Sequence, residues 1–264
     1  MPAREVAAQF DEISPVYDET REPLDGPTVD ALAEALRRAG AVRVLEVGVG
    51  TGRVAKPLLE RGIELTGVDP SRGMLSRARS KGLPRLVRGS GYRLPFRDGA
   101  FDASLFVHVL HVLDDPRRAI DEGRRVGRVG ALALVHPRKS GEDPGASRGD
   151  QPRHLIRDIL AEQGYPVPPS RTAPWMKEQD FLTRFPPDEL RVVSEKDVTE
   201  SLRSRIDRLA KRGQRHLLTV PPDVMRRAVE TARERVGDRT FTYHRVEALA
   251  AWTSDRPSPA AGTA

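Results

Sequence analysis

Three glycines at every second position follow a short apolar stretch in the first part of the chain. Residues 44–47 read Val-Leu-Glu-Val, and Gly48, Gly50 and Gly52 come directly after them. Because glycine has no Cβ, it allows a sharp turn and a close approach of the backbone to a ligand. The first N–H groups of a helix that follows lack partners and can point at that ligand. The pattern therefore predicts a strand, a ligand-binding turn and a helix.

The spacing of these glycines argues against a dinucleotide site. A dinucleotide-binding turn reads Gly-x-Gly-x-x-Gly, whereas Arg53 stands where its third glycine would be. Two acids add to the pattern: Glu46 lies two residues before the first glycine, and Asp69 ends a second strand-like stretch, residues 63–68. A carboxylate about 20 residues beyond such a turn can accept both hydroxyls of a ribose. Asp69 is therefore the predicted ribose acceptor.

Together, Glu46 and the alternating glycines resemble motif I of the class I S-adenosyl-L-methionine (SAM)-dependent methyltransferases. Further landmarks of that family follow in order. Residues 86–102 follow Asp69 and contain the sequences Leu-Pro-Phe and Phe-Asp, which resemble the family's adenine-side segment. The strand-like residues 103–110 come next. Residues 126–135 stand where the family has its fifth strand and the turn before it. The order and the intervals of these landmarks support the resemblance.

The most similar branch of the family acts on small molecules and includes the ubiquinone and menaquinone C-methyltransferases. Residues 10–18, Phe-Asp-Glu-Ile-Ser-Pro-Val-Tyr-Asp, resemble the N-terminal helix of that branch. The resemblance covers residues 8–136, and a weaker resemblance is found near the carboxyl terminus.

The resemblance implies that SAM is the cofactor, and it assigns residues to the parts of SAM. The acid of motif I helps to hold the methionine end, so this role falls to Glu46. Relatives commonly carry an Asp at the position of Ser90, where it accepts from the adenine amino group. Serine is a weaker acceptor, and backbone atoms of Gly91 and Tyr92 are the alternative. The predicted cofactor-binding residues are Tyr17, Glu46, Gly48, Gly50, Thr51, Gly52, Arg53, Asp69, Pro70, Met74, Ser90, Gly91, Tyr92 and His108.

Methyl transfer asks little of side chains, because SAM carries the activated methyl group on a positive sulfonium. The protein must align the attacking atom, the methyl carbon and the sulfur. An acidic acceptor such as a phenol also benefits from a base, and imidazole titrates near neutral pH. His108 and His111, at the end of the fourth strand, are therefore the predicted catalytic residues. The alternatives are a cofactor-pocket or structural contact for His108 and, for His111, support of the turn at residues 114–116.

The sequence predicts no metal site. Asp114 and Asp115 are adjacent, and an Asp-Asp-Pro run is typical of a turn before a helix. Positioning Mg²⁺ on a catechol requires carboxylates from dispersed parts of the chain. Because the chain has no cysteine, a catalytic thiol is also excluded.

Strand-like and helix-like segments alternate along residues 28–135, which is typical of a parallel sheet with crossover helices. We therefore expect an α/β, Rossmann-like fold: a mostly parallel, seven-stranded sheet with helices on both faces and a helical lid inserted after strand five. The lid would cover the carboxyl ends of the strands, where open sheets bind ligands. The expected regions are the SAM-binding core (1–136), the helical lid or substrate region with part of the sheet (137–239), a closing strand (240–253) and a flexible tail (254–264).

One predicted lid helix, residues 201–213, is rich in cations. Its apolar stripe is Leu202, Ile206 and Leu209, and its single acid is Asp207. One interpretation is a solvated face, since arginine stems cover apolar surface while their heads stay in water. The other is an electrostatic funnel for an anionic acceptor, such as a carboxylate, a phosphate ester, a carrier-bound acyl chain or an anionic membrane surface. The cations are Arg203, Arg205, Arg208, Lys211, Arg212 and Arg215.

The composition limits the class of partner. The chain has 264 residues and a net charge of +6, with a pI near 9.9, and a basic chain can bind nucleic acid. However, only six of its 44 basic residues are lysines, an arginine bias typical of GC-rich coding sequences. It also lacks the basic motif with interleaved aromatic residues that stacks RNA bases. We therefore predict a small-molecule acceptor rather than nucleic acid.

The expected location is cytoplasmic. No apolar run approaches the ~18 residues of a membrane span, and residues 1–9 lack the apolar core of a signal peptide. The absence of cysteine fits a reducing compartment.

The sequence thus predicts a class I SAM-dependent methyltransferase that methylates oxygen, carbon or nitrogen of a small or lipid-like organic molecule. One alternative is an RNA-directed methyltransferase that uses the basic lid. The other is a catalytically inactive, methyltransferase-like binding protein, for which Ser90 is the only sign. The sequence predicts neither the identity of the acceptor nor the oligomeric state.

Overall fold

The strands of the computed structural model follow the predicted alternation closely. The model describes residues 3–21, 24–137, 152–167, 178–211 and 220–254. In these parts of the chain the strands are β1 (Arg43–Val47), β2 (Glu64–Asp69), β3 (Leu86–Arg88), β4 (Phe101–Val107), β5 (Gly127–Val135), β6 (Glu189–Ser201) and β7 (Thr240–Thr253). They form one sheet in the order β3-β2-β1-β4-β5-β7-β6. Strands β1 to β5 are parallel, and β7 runs antiparallel to both β5 and β6.

Helices connect these strands and extend beyond them. The α-helices are α1 (Ala3–Ile13), α2 (Gly26–Arg38), α3 (Ala55–Leu59), α4 (Arg72–Ser80), α5 (Pro116–Val126), α6 (Pro152–Glu162), α7 (Glu178–Arg184), α8 (Leu202–Ala210) and α9 (Pro222–Val236), with short 3-10 helices at Asp18–Thr20 and Leu110–Val112. Within the described ranges, none of the helices has both the length and the apolar content that crossing a bilayer requires.

The core lies on both faces of the sheet. On one face, Val44 and Leu105 pack with residues of α2 and α3. On the other, Leu45 and Phe106 pack with residues of α5. Because successive side chains of a strand point to opposite faces, β1 and β4 are buried at nearly every position. This arrangement confirms the predicted Rossmann-like sheet with helices on both faces.

A third apolar cluster belongs to the helices inserted after β5. Residues of α6, α8 and α9 pack together there, and the predicted stripe Leu202, Ile206 and Leu209 is buried among them. The helical insertion is therefore confirmed, whereas the exact region boundaries and the role of the insertion as a lid stay predictions. Residues 138–151, Arg212, Arg215 and the predicted tail beyond Ser254 lie outside the described residues.

The turn predicted before the fifth strand is part of that strand instead. Gly127 already pairs with Phe101, and the register shifts before Gly130 reaches Ala103. Gly130 has a φ of +129°, and a Cβ there would lie 2.2 Å from the carbonyl oxygen of Trp252 on β7. A glycine is required at this position because the neighbouring backbone leaves no room for a side chain.

Strand β6 extends well beyond the short strand-like stretch at residues 190–194, Leu-Arg-Val-Val-Ser. It continues to Ser201, which pairs with Thr240 at the start of β7. The long partner strand supplies backbone hydrogen-bonding groups along this whole length, and the short apolar stretch does not reveal that partner.

Candidate functional site

The alternating glycines form a tight turn at the carboxyl ends of β1 and β2. Gly48, Gly50 and Gly52 have φ angles of +77°, +56° and +76°, a region that disfavours other residues. A Cβ at Gly48 would lie 2.6 Å from Val109, and one at Gly52 would lie 2.9 Å from Leu83. A Cβ at Gly50 would meet only the Gly48 oxygen, at 3.9 Å. The outer glycines therefore serve close packing, and Gly50 faces open space.

Asp69 holds this turn in place. Its Oδ2 accepts a hydrogen bond from the Gly50 N–H at 2.9 Å, and its Oδ1 accepts one from the Ser71 N–H at 2.8 Å. Burial raises the pKa of Asp69 to about 6; the two backbone hydrogen bonds oppose this rise, and the charge of Asp11 adds to it. The predicted ribose acceptor is thus a buried carboxyl group, oriented by the loop that it supports.

Glu46 lies beneath the same turn and is only 3% exposed. Its Oε2 has no hydrogen-bond partner among the described residues. Burial, and to a lesser degree the nearby charge of Asp69, raises the pKa of Glu46 to about 8. A buried acceptor without a partner is costly, so a ligand that brings a positive donor would fit this position.

Two histidines and a glutamate meet beside the glycine turn, where β4 and β5 end and β7 continues past them. His108 follows β4, His136 follows β5, and Glu247 lies on β7. One ligand atom from each lies within 4.8 Å of the others. The imidazole rings of the two histidines stack with their centroids 4.8 Å apart and an angle of 14° between their planes. His108 has a φ of +50°, the one positive value among the described residues other than glycine.

Comparisons with known proteins agree with this geometry. Residues 45–135 match a family model described as a methyltransferase domain. The chain is also 34% identical over 137 residues to a demethylmenaquinone methyltransferase from Renibacterium salmoninarum, a match that covers 50% of this chain and 57% of that protein. The family match thus assigns a methyltransferase domain to residues 45–135. The chain spans little more than half the length of the curated relatives that it matches.

Solved structures support the fold of the methyltransferase domain. The YcgJ protein from Bacillus subtilis superimposes with a TM-score of 0.54 and 19% identity, covering 86% of this chain and 98% of that chain. A SAM-dependent methyltransferase from Thermotoga maritima gives a TM-score of 0.50 and 19% identity, covering 92% of this chain and 98% of that chain. At this identity, the likeness shows the fold alone.

The N-terminal segment packs on the cofactor side of the methyltransferase domain. Asp11 Oδ1 accepts from the Ser71 hydroxyl at 2.6 Å and from the Gly73 N–H at 2.8 Å. Asp18 Oδ1 accepts from the Thr51 hydroxyl at 2.5 Å. The Thr51 side chain is therefore engaged within the protein. The sequence analysis did not assign Asp11 and Asp18 to the site, although both lie in the stretch that carries the N-terminal resemblance.

Four other predicted cofactor residues lie around this segment, and their contacts to SAM stay predictions. Tyr17 is half-buried, and the Arg21 guanidinium lies 4.7 Å from the centroid of its ring. Met74, on α4, is 1% exposed. The Pro70 carbonyl accepts from Arg88 Nε at 3.1 Å. The fourth, Arg53, is half-buried just after the glycine turn.

The predicted adenine-side residues Ser90, Gly91 and Tyr92 form one turn. The Ser90 Oγ accepts from the Tyr92 N–H at 3.3 Å, and a Cβ at Gly91 would lie 2.9 Å from Val47. The Tyr92 hydroxyl accepts from the Asp114 N–H at 2.7 Å. Tyr92 thus supports the turn before α5, the role considered above for His111.

The structure separates the two histidines that were predicted as catalytic. His108 joins His136 and Glu247, whereas His111 is exposed on the 3-10 helix Leu110–Val112 and is not part of their group. The sequence analysis missed His136, although its position directly after an apolar strand was a usable signal. Glu247 had no such signal, because it reaches the site only through the antiparallel pairing of β7.

Acids from outside α8 neutralise much of its described charge. Arg205 and Arg208 both form ion pairs with Glu200, a buried residue at the end of β6. Lys211 Nζ lies 2.8 Å from Glu19 Oε2. The acid of α8 itself, Asp207, pairs with Arg233 of α9 instead. These pairs favour the interpretation of α8 as an amphipathic helix with a solvated face.

Proposed function

We propose that the chain is a SAM-dependent methyltransferase that acts on a small or lipid-like organic molecule. The observation that carries this proposal is the open turn at Gly50, which lies between two buried acids, Glu46 and Asp69. The backbone of the turn can approach a ligand closely. The two acids can accept hydrogen bonds from the hydroxyls of a ribose and from an ammonium group.

Each acid has a defined part in this proposal. A carboxylate oxygen has two lone pairs, so Asp69 can accept ribose hydroxyls while it keeps its bonds to Gly50 and Ser71. Glu46 Oε2 can accept from the ammonium group at the methionine end, whose positive charge favours the ionised carboxylate. When bound, SAM supplies an electrophilic methyl group. The other predicted cofactor residues remain part of the proposal.

We infer a quinol-type aromatic molecule as the acceptor class. This inference rests on the relatives named demethylmenaquinone methyltransferase and on the imidazoles at the ends of β4 and β5. His108 is the proposed base for an acidic ring hydroxyl, since it follows β4, the strand beside β1. We give His111 no step, because it is exposed and lies apart from the group. The helical insertion would cover the acceptor, and a reducing, cytoplasmic location belongs to the same proposal.

Binding and turnover test this function separately. Calorimetry on the full chain should show micromolar binding of SAM and S-adenosylhomocysteine, because the cofactor occupies the turn at Gly50. With methyl-labelled SAM, label should pass to a reduced demethylated naphthoquinone. Failure to bind either nucleoside would overturn the proposal. Binding without transfer to any of a panel of phenols, quinols and amines would instead favour the inactive binding protein.

Replacing Ser90 by Asp should tighten SAM binding. The substituted carboxylate can still accept from the Tyr92 N–H and offers a stronger acceptor to the adenine amino group, with a gain of about threefold to tenfold in Kd from one charge-assisted bond. Ser76→Asp, which adds the same charge on the exposed side of α4, should leave Kd unchanged. A large loss of affinity in Ser90→Asp alone would refute the adenine-side assignment.

RNA binding by the wild type should be weak and non-specific, and it should fade between low and physiological salt, as expected of charge attraction alone.

Replacing Arg205 and Arg208 by Gln should leave the SAM affinity within about twofold. It should lower the free energy of unfolding by about 1–3 kcal/mol, because Glu200 loses both of its partners. Arg203→Gln, on the exposed side of the same helix, is the control. Filter binding and denaturant unfolding give the two measurements. Tight, sequence-selective RNA binding at physiological salt that both substitutions abolish would favour the RNA-directed alternative.

A further inference from the structure

We propose that His108, His136 and Glu247 form a binding site for one divalent transition-metal ion, with Zn²⁺ as the reference ion. The proposal rests on the function proposed above only for the use of the ion, not for its binding. It also differs from the sequence prediction of no metal, which considered only Asp114 and Asp115.

The three ligands have the right chemistry and converge from separate strands. Two imidazole nitrogens and one carboxylate oxygen, all within 4.8 Å of one another, are the ligand types of zinc and iron sites with open coordination positions. Such an ion lies about 2.0–2.2 Å from each ligand atom, which brings the atoms to roughly 3–3.5 Å from each other. Small rotations of the stacked rings achieve this contraction.

Glu247 supplies an independent sign of a ligand. It is 2% exposed, and its Oε2 has no hydrogen-bond partner among the described residues. A buried carboxylate oxygen without a donor is expensive in a purely structural role. A cation at the convergence point would satisfy this oxygen.

His136 is also held in the manner of a metal ligand. Its Nδ1 lies 3.2 Å from the carbonyl oxygen of Val246. A carbonyl can only accept, so Nδ1 carries the proton and, in the neutral ring, Nε2 keeps the lone pair. Metal-bound histidines commonly make this second contact, which fixes the tautomer and the ring orientation.

The position of the site suggests how the ion would be used. The end of β4 lies next to β1, the strand that leads into the glycine turn, and β5 is the next strand after β4. An acceptor at the ion would therefore be close to a methyl donor in that turn. A metal ion with open positions can bind a ring hydroxyl and favour its deprotonated form. With the ion bound, His108 acts as a ligand and the ion takes over the role proposed for the base.

Metal binding by the untagged full chain tests the proposal. After treatment with chelator and dialysis, the wild type should bind one Zn²⁺ per chain by calorimetry, and Co²⁺ should develop visible absorption bands. Glu247→Gln and His136→Gln should each weaken Zn²⁺ binding by at least about 100-fold, because three protein ligands become two. His108→Asn, which tolerates a positive φ, should do the same. Urea unfolding of all three variants, and S-adenosylhomocysteine binding by Glu247→Gln and His136→Gln, report whether the fold is intact.

His244→Ala is the matched control. His244 also lies beside two carboxylates, with Nδ1 2.9 Å from Asp197 and Nε2 3.0 Å from Glu195, but on an exposed part of β6 and β7. Its loss should leave the Zn²⁺ affinity unchanged. Absence of Zn²⁺ and Co²⁺ binding in the wild type would overturn the proposal, as would equal binding in Glu247→Gln. Failure of S-adenosylhomocysteine to bind the wild type would instead overturn the proposed methyltransferase function and leave the metal result standing.

Discussion

Replacing Asp69 by Asn should weaken SAM binding by at least about 100-fold. An amide offers one acceptor oxygen instead of two, so either the Gly50 N–H or the Ser71 N–H loses its partner and the ribose loses a charged acceptor. Two such losses of about 1.5–3 kcal/mol each amount to 100-fold or more. Calorimetric titration with SAM measures the effect.

Asp25→Asn is the control for Asp69. The Asp25 carboxylate also accepts from a backbone N–H, that of Thr28 at 2.9 Å, but it does so at the start of α2. Asp25→Asn should lower the free energy of unfolding and leave the SAM affinity unchanged. Gly50→Val should abolish binding by a different route, because it places a β-branched side chain at positive φ in the open space of the turn. Unchanged SAM binding in both Asp69→Asn and Gly50→Val would disprove the location of the cofactor.

The free energy of unfolding should fall as pH rises, and Glu46 should cause most of the fall near neutrality. Its pKa rises from 4.5 to about 8 on folding, and that of Asp69 rises from 3.8 to about 6. A raised carboxyl pKa means that the folded state holds a proton that the unfolded chain has released. Each group therefore lowers stability by about 1.4 kcal/mol per pH unit between its unfolded and folded pKa.

Glu46→Gln should remove this slope between pH 6 and pH 8. Urea unfolding at several pH values in that window gives the measurement. Glu64→Gln, at the exposed start of β2, should keep the wild-type slope. A slope that persists in Glu46→Gln would show that another group carries the proton.

The same carboxyl group should couple SAM binding to proton release. The positive methionine end favours the ionised form of Glu46, so binding below pH 8 should release close to one proton and affinity should rise with pH. Titrations in buffers of different ionisation enthalpy report that proton. In Glu46→Gln the release should vanish and the affinity should fall about 10-fold to 150-fold, the equivalent of one or more charge-assisted hydrogen bonds.

The sequence alone predicted the residues on the proposed cofactor side of the site. The turn at Gly48, Gly50 and Gly52 depends on the conformational freedom of adjacent residues, which composition and spacing express directly. Asp69 follows from a general property of parallel sheets, whose strands end on the same edge. The near-continuous apolar character of residues 103–110 is likewise typical of a strand covered on both faces. These features are local, or they repeat a rule that holds for a whole class of folds.

Only the tertiary structure revealed which residues meet on the side of the site that faces the proposed acceptor. Glu247 reaches His108 and His136 only because β7 pairs antiparallel with β5, a long-range contact that no local pattern encodes. The cations of α8 looked unopposed in the sequence, yet Glu200 lies at the end of another strand and pairs with two of them. Which groups meet in a buried place, and which charges neutralise each other, depends on packing between distant segments, and that packing is set by the fold as a whole.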